Sequence, residues 1–103
     1  AEETQLKPTF YNITITLNYE EVPLTTNSPM NVFVGDIKLG RQEAGTSNSY
    51  TVQLEEGEYE FYLKNDGIYT SPKIKFKVLP NKKTFKFGTK TSLIVGMDIW
   101  VEN

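Results

Sequence analysis

Residues able to do covalent chemistry are few and of limited kinds in this chain of 103 residues, which contains no His and no Cys. That absence removes imidazole bases, thiolate nucleophiles, disulfides and nearly every zinc, copper or haem site. Carboxylates, lysines, hydroxyls and the single arginine, Arg41, remain. Two adjacent pairs, Glu20-Glu21 and Glu55-Glu56, are of the type that a glycosidase or a calcium site uses. Neighbours on an extended chain point opposite ways, however, whereas a glycosidase needs its acid and base about 5 to 10 Å apart across one sugar. Calcium needs several oxygens converging from one loop, and no Asp-rich stretch supplies them. The hydroxyls between Gly45 and Ser49 have no His to activate them. The chain is therefore expected to be no enzyme, with no catalytic residue, no metal ligands and no cofactor.

Binding is the chemistry left to it, and two kinds of side chain could supply it. Charge is unevenly spread: ten acidic and three basic residues precede Lys64, while eight basic and three acidic residues occupy the rest. Lys73, Lys75 and Lys77, with Lys82, Lys83 and Lys86, could form one basic face for a polyanion. The plainer reading is cross-strand pairing, with Glu58 and Glu60 opposite the first three lysines if their strands are neighbours. Three aromatics, Phe33, Tyr62 and Trp100, fall on the polar parity of their strands. Tyr62 and Trp100 are candidates to face a protein or glycan partner, with Phe33 expected to be buried and Trp100 alternatively closing one end of the core or covering an edge. Nucleic acid is not expected, because the net charge is -2 and no recognition helix is present.

The elements that must position these groups are strands. Tyr11, Ile13, Ile15, Leu17 and Tyr19 alternate without fault with Asn12, Thr14, Thr16 and Asn18, the period of a sheet with one face inward. Met30, Val32 and Val34 lead into Gly35-Asp36, a two-residue hairpin signal, and Ile37 and Leu39 return. Arg41 to Ser49 has no apolar periodicity and reads as a loop, which would also be the protruding segment of an enzyme inhibitor. Tyr50, Val52 and Leu54, then Tyr59, Phe61 and Leu63, alternate on either side of Gly57 and read as a second hairpin. Ile74, Phe76 and Val78 alternate with lysines, Pro80-Asn81 turns the chain, Phe85 and Phe87 form a strand ended by Gly88, and Met97, Ile99 and Val101 form the last.

Seven or eight antiparallel strands without a helix need a second sheet to cover their apolar faces, so the expected fold is all-β, a two-sheet sandwich of immunoglobulin-like or transthyretin-like type. A small barrel is the alternative. Residues 1–9 read as a lead-in to a single domain over 10–103. Aromatic residues at 13 % offset a modest hydrophobic fraction of 38 %, since each buried ring removes about 150 to 250 Å² from water. Apolar runs such as Leu93-Ile94-Val95 are far shorter than the roughly 20 residues that cross a bilayer, so no transmembrane segment is expected. The start at Ala1 suits a chain cut from a longer precursor, and an extracytoplasmic location is expected.

The middle of the chain resembles the PEGA family of bacterial surface-associated β-domains. The matching residues are Val32-Phe33-Val34-Gly35-Asp36, then Gly40, then Leu54-Glu55-Glu56-Gly57 with Glu58 and Tyr59, reaching Asp66-Gly67, in all about residues 30–78. Gly35 and Asp36 stand in reverse order from the family's turn, and Glu56 stands where its pattern has Pro. The resemblance implies a non-catalytic module of a cell-envelope protein, with adhesion or interaction as its role and a ligand-free structural spacer as the alternative.

Overall fold

The computed structural model describes residues 9–23, 28–92 and 96–102, and among these there are eight strands and no helix. They are β1 (Phe10–Glu20), β2 (Met30–Val34), β3 (Ile37–Gln42), β4 (Thr46–Glu55), β5 (Gly57–Lys64), β6 (Ile74–Val78), β7 (Thr84–Ser92) and β8 (Gly96–Val101). Two four-stranded sheets result, sheet A in the order β4-β1-β7-β8 and sheet B in the order β3-β2-β5-β6. The fold is a β-sandwich.

Alternation decides what goes between the sheets. Ile13, Ile15 and Leu17 of β1 have no exposed surface, and Val32, Phe61, Leu63 and Val78 answer them from sheet B. Phe61 and Phe87 stack across the interior at 4.1 Å between centroids, with ring planes 6° apart. Phe76 meets Phe85 and Phe87 at 4.7 and 5.8 Å. Aromatic pairs of this kind add about 0.5–1.5 kcal/mol beyond their area burial, and they supplement the Ile, Leu, Val and Met side chains of the core.

Four expectations are corrected. The strands are not all antiparallel: β1 runs parallel to β7, with Ile15 beside Phe85 and Leu17 beside Phe87. The turn at Pro80 and Asn81, with its bridge between Leu79 and Lys82, carries the chain from sheet B to sheet A, so β7 enters in the same direction as β1.

The stretch Arg41 to Ser49 is strand at both ends. Arg41 and Gln42 finish β3, Glu43 to Gly45 turn, and β4 starts at Thr46. Its first residues carried no periodic signal because Thr46 and Asn48, which pair with Tyr19 and Leu17, are polar and exposed at the rim of the sheet.

Glu55-Glu56-Gly57 is a corner and not a hairpin. β4 pairs with β1 in sheet A, whereas β5 pairs with β2 and β6 in sheet B. Gly57, at φ 152°, takes a backbone conformation closed to most side chains as the chain changes sheets.

Gly88 does not end its strand; β7 continues to Ser92, with Gly88 opposite Trp100. The indole fills the place of the missing side chain, since a Cβ on Gly88 would lie 2.5 Å from Trp100 Cε2 and Nε1. An aromatic laid over a strand glycine restores the contact and shielding that the glycine lacks.

The lead-in expected at residues 1–9 lies outside the described residues except for Thr9, as do residues 24–27 of the first long connection and Leu93 to Val95.

Candidate binding face on sheet B

The hairpin β2–β3 turns at Gly35-Asp36 as its sequence requires, with Gly35 at φ 57°. Past the turn Val34 pairs with Ile37 and Phe33 with Lys38, but Val32 pairs with Gly40, so Leu39 is the extra residue of a bulge. One inserted residue reverses the parity of every later residue in its strand. Lys38 and Arg41, which an unbroken strand would send to opposite faces, therefore both stand on the outer face, beside Phe33 and Asn31 respectively.

On that face Phe33 and Tyr62 are Cα partners across β2 and β5. Their rings stack at 5.4 Å between centroids and 6° between planes. Phe33 was expected to be buried, yet only Met30, Val32 and Val34 of its strand face the core, and Phe33 is half-buried on the outside. The Lys64 ammonium lies 5.4 Å from the centroid of Phe33, and that of Lys73 lies 4.8 Å from the centroid of Tyr62. The Tyr62 hydroxyl donates to the Gly35 carbonyl at 2.5 Å, which fixes the ring against the hairpin turn.

Further along the strands Glu60 is opposite Lys75 and Glu58 is opposite Lys77, as cross-strand pairing required. Gly35, Glu58, Tyr59, Glu60 and Lys75 line a shallow depression of about 350 Å³ beside the ring pair. In the other direction Arg41 Nη1 donates to Asp66 Oδ1 at 2.7 Å and approaches Oδ2 at 2.6 Å. Asn31 Nδ2 donates to Asp66 Oδ1 at 3.1 Å, while Asn31 Oδ1 is buried without a hydrogen bond. The guanidinium of Arg41, the Asn31 amide and the charge of Lys38 hold the Asp66 carboxyl below the usual value of 3.8. Asp66 is thereby moored over the sheet, and Asn65 Oδ1 closes its loop by accepting from the backbone N–H groups of Gly67 and Tyr69.

Of the candidates read from sequence, the fold brings Tyr62 and Lys73 into contact and puts Lys75 and Lys77 on the same face. Trp100 is elsewhere: it lies on the outer face of sheet A over Gly88, and its Nε1 donates to Glu102 Oε2 at 3.3 Å. The six lysines do not make one face. Lys86 projects from β7 in sheet A, Lys82 lies 5.3 Å from the Phe85 centroid, and Lys83 lies 5.0 Å from the Tyr11 centroid. Lys38 and Lys64, which stand on this face with the rings, were not among the candidates read from sequence, and Phe33 was weighed there but assigned to the interior. Parity set Phe33 against the apolar residues of its strand and puts Lys64, two residues after Tyr62, on the same face as Tyr62. Lys38 needs the bulge.

Among the described residues no three carboxylates come together as a metal site, and no helix is long and apolar enough to cross a membrane. No family model matches this chain, and no curated protein or solved structure matches it.

Proposed function

We propose that this domain is a non-enzymatic interaction module of the cell envelope or extracellular space, and that it meets its partner with the outer face of sheet B. The observation that carries the reading is the Phe33–Tyr62 stack with a lysine ammonium held over each ring. A ring pair on the outer face is within reach of a partner, and aromatic residues are enriched among the anchors of interfaces. The likeness of residues 30–78 to the PEGA pattern supports the envelope location and the lack of catalysis, and two four-stranded sheets suit an immunoglobulin-like or transthyretin-like sandwich.

The test is an array of polysaccharides and extracellular proteins probed with the wild-type domain, the double variant Phe33→Ala/Tyr62→Ala, and Trp100→Ala. Loss of the wild-type signals in the double variant alone supports the reading. Signals lost only with Trp100→Ala move the contact to sheet A, and an array blank for the wild-type domain leaves a structural spacer.

A further inference from the structure

We infer, resting on the reading above, that the partner of this face is an acidic polysaccharide. Subtracting the paired charges leads to this class. Glu58 and Glu60 face Lys77 and Lys75, and Asp66 is paired with Arg41. Lys64 and Lys73, the cations over the two rings, take part in no ion pair among the described residues. With Lys38, whose charge also reaches Asp66, they outweigh the one acid of the hairpin turn, Asp36, so the ring pair sits in a positive frame.

The rings reinforce that sign. Each has its neighbour stacked on it and an ammonium over it, so ring edge is what remains for a ligand, and the edge is the positive end of the aromatic quadrupole. Carboxylate, sulfate and hydroxyl oxygens suit such an edge better than an apolar group does.

Strand order argues for a sugar polymer over an acidic peptide. Phe33 and Tyr62 lie on β2 and β5, the two inner strands of sheet B, whose backbone groups are committed to neighbours on both sides. A peptide added to a sheet gains its affinity from main-chain hydrogen bonds at a free edge, here β3 or β6, and the ring pair lies one strand in from either. Held by side chains alone, a peptide would lose about 1–2 kcal/mol of backbone entropy per ordered residue. A chain of pyranose rings arrives largely ordered. The frame has room for more than one sugar: Lys38, Phe33 and Tyr62 on β3, β2 and β5 and Lys73 at the entry to β6 succeed one another in three steps of about 4.8 Å, or about 14 Å.

Binding of the domain to polygalacturonate and to dextran sulfate, measured by calorimetry at low and moderate salt, tests this. Methyl-esterified polygalacturonate, dextran and poly-L-glutamate are the comparisons. The expected result is binding to at least one acidic polysaccharide that weakens with salt, with neither neutral polymer binding and poly-L-glutamate at least tenfold weaker. Lys64→Gln/Lys73→Gln should weaken it at least tenfold, and Lys86→Gln/Lys90→Gln, which removes the same charge from sheet A, less than twofold.

Equal binding of the neutral polymers overturns the inference while leaving the contact face intact if Phe33→Ala/Tyr62→Ala abolishes it. Equal binding of poly-L-glutamate makes the partner an acidic protein segment and also overturns it. An equal loss in both lysine pairs means diffuse attraction and overturns it, as does the absence of binding to both acidic polymers. The array with the ring-pair variant decides separately whether the face itself is a contact surface.

Discussion

Tyr62 lies against Phe33 across β2 and β5, its ring plane within 6° of its partner's and its hydroxyl on the carbonyl of Gly35 at 2.5 Å. Turn, hairpin and neighbouring strand are thus tied through one half-buried side chain on the outer face. Because the pair is on the outer face, removing it should cost binding more than folding. Phe33→Ala/Tyr62→Ala is expected to lower unfolding free energy by about 1–2 kcal/mol, the scale of one partly exposed aromatic contact. Urea denaturation measures that loss, and a collapse of the fold would make the pair structural.

Trp100 and Gly88 make the opposite case, a contact whose value is stability. Gly88→Ala should destabilise by about 1–3 kcal/mol, since its Cβ would lie 2.5 Å from the indole. In a Trp100→Ala background the same change should be neutral or stabilising by up to about 1 kcal/mol, because alanine is easier to order in a strand than glycine. Additive losses in this double-mutant cycle would mean that the indole does not occupy the glycine's side-chain space.

Gln42 joins the two sheets at their rim. From β3 its Nε2 donates to the carbonyls of Leu17 and Thr46 at 2.8 and 2.9 Å, and its Oε1 accepts from the Tyr50 hydroxyl at 2.8 Å. Tyr50 in turn covers Gly40, where a Cβ would lie 2.7 Å from its ring. Gln42→Leu keeps the bulk and orphans these partners, so it should cost about 1–3 kcal/mol in chemical denaturation.

The same corner sets an alkaline limit. Burial raises the Tyr50 hydroxyl above its ordinary 10.0, against a hydrogen bond from Asn48 that lowers it. Burial likewise raises Tyr19, against a hydrogen bond from Thr91. A raised folded value means that the unfolded chain releases the proton first. Stability is therefore fully present below pH 10 and is lost as pH rises through the folded values. Unfolding midpoints taken from about pH 8 upward should fall beyond about pH 10, and Tyr50→Phe should flatten part of the fall; an unchanged profile would contradict the burial of both rings.

Charge across β5 and β6 gives a further expectation. Lys75→Glu/Lys77→Glu puts like charges opposite Glu60 and Glu58 and should destabilise by about 0.2–1 kcal/mol per pair. Adding Glu58→Lys/Glu60→Lys restores opposite charges and should recover most of the loss. Recovery absent at low salt would mean that the pairs contribute nothing.

Much of this architecture was legible from period two alone. β1 and β6 match the alternation of Tyr11 to Tyr19 and of Ile74 to Val78, and Gly35-Asp36 marks the hairpin it makes. What period two cannot report is which strand lies next to which. The corner at Gly57 therefore looked like a hairpin, and the parallel neighbour of β1 was invisible. It is also blind to a single inserted residue: Leu39 brings Lys38 and Arg41 to one face, and no pattern of apolar residues announces it. Tyr62 and Lys73 were identifiable as outward-facing groups, but their meeting required β5 and β6 to be partners.

Amide chemical shifts of the isotope-labelled domain, monitored while the strongest ligand from the array is titrated in, test the contact face most directly. The account predicts that the largest changes cluster on Phe33, Lys38, Tyr62, Lys64 and Lys73. Changes centred on Trp100 and its neighbours in sheet A, with those five unmoved, would contradict it.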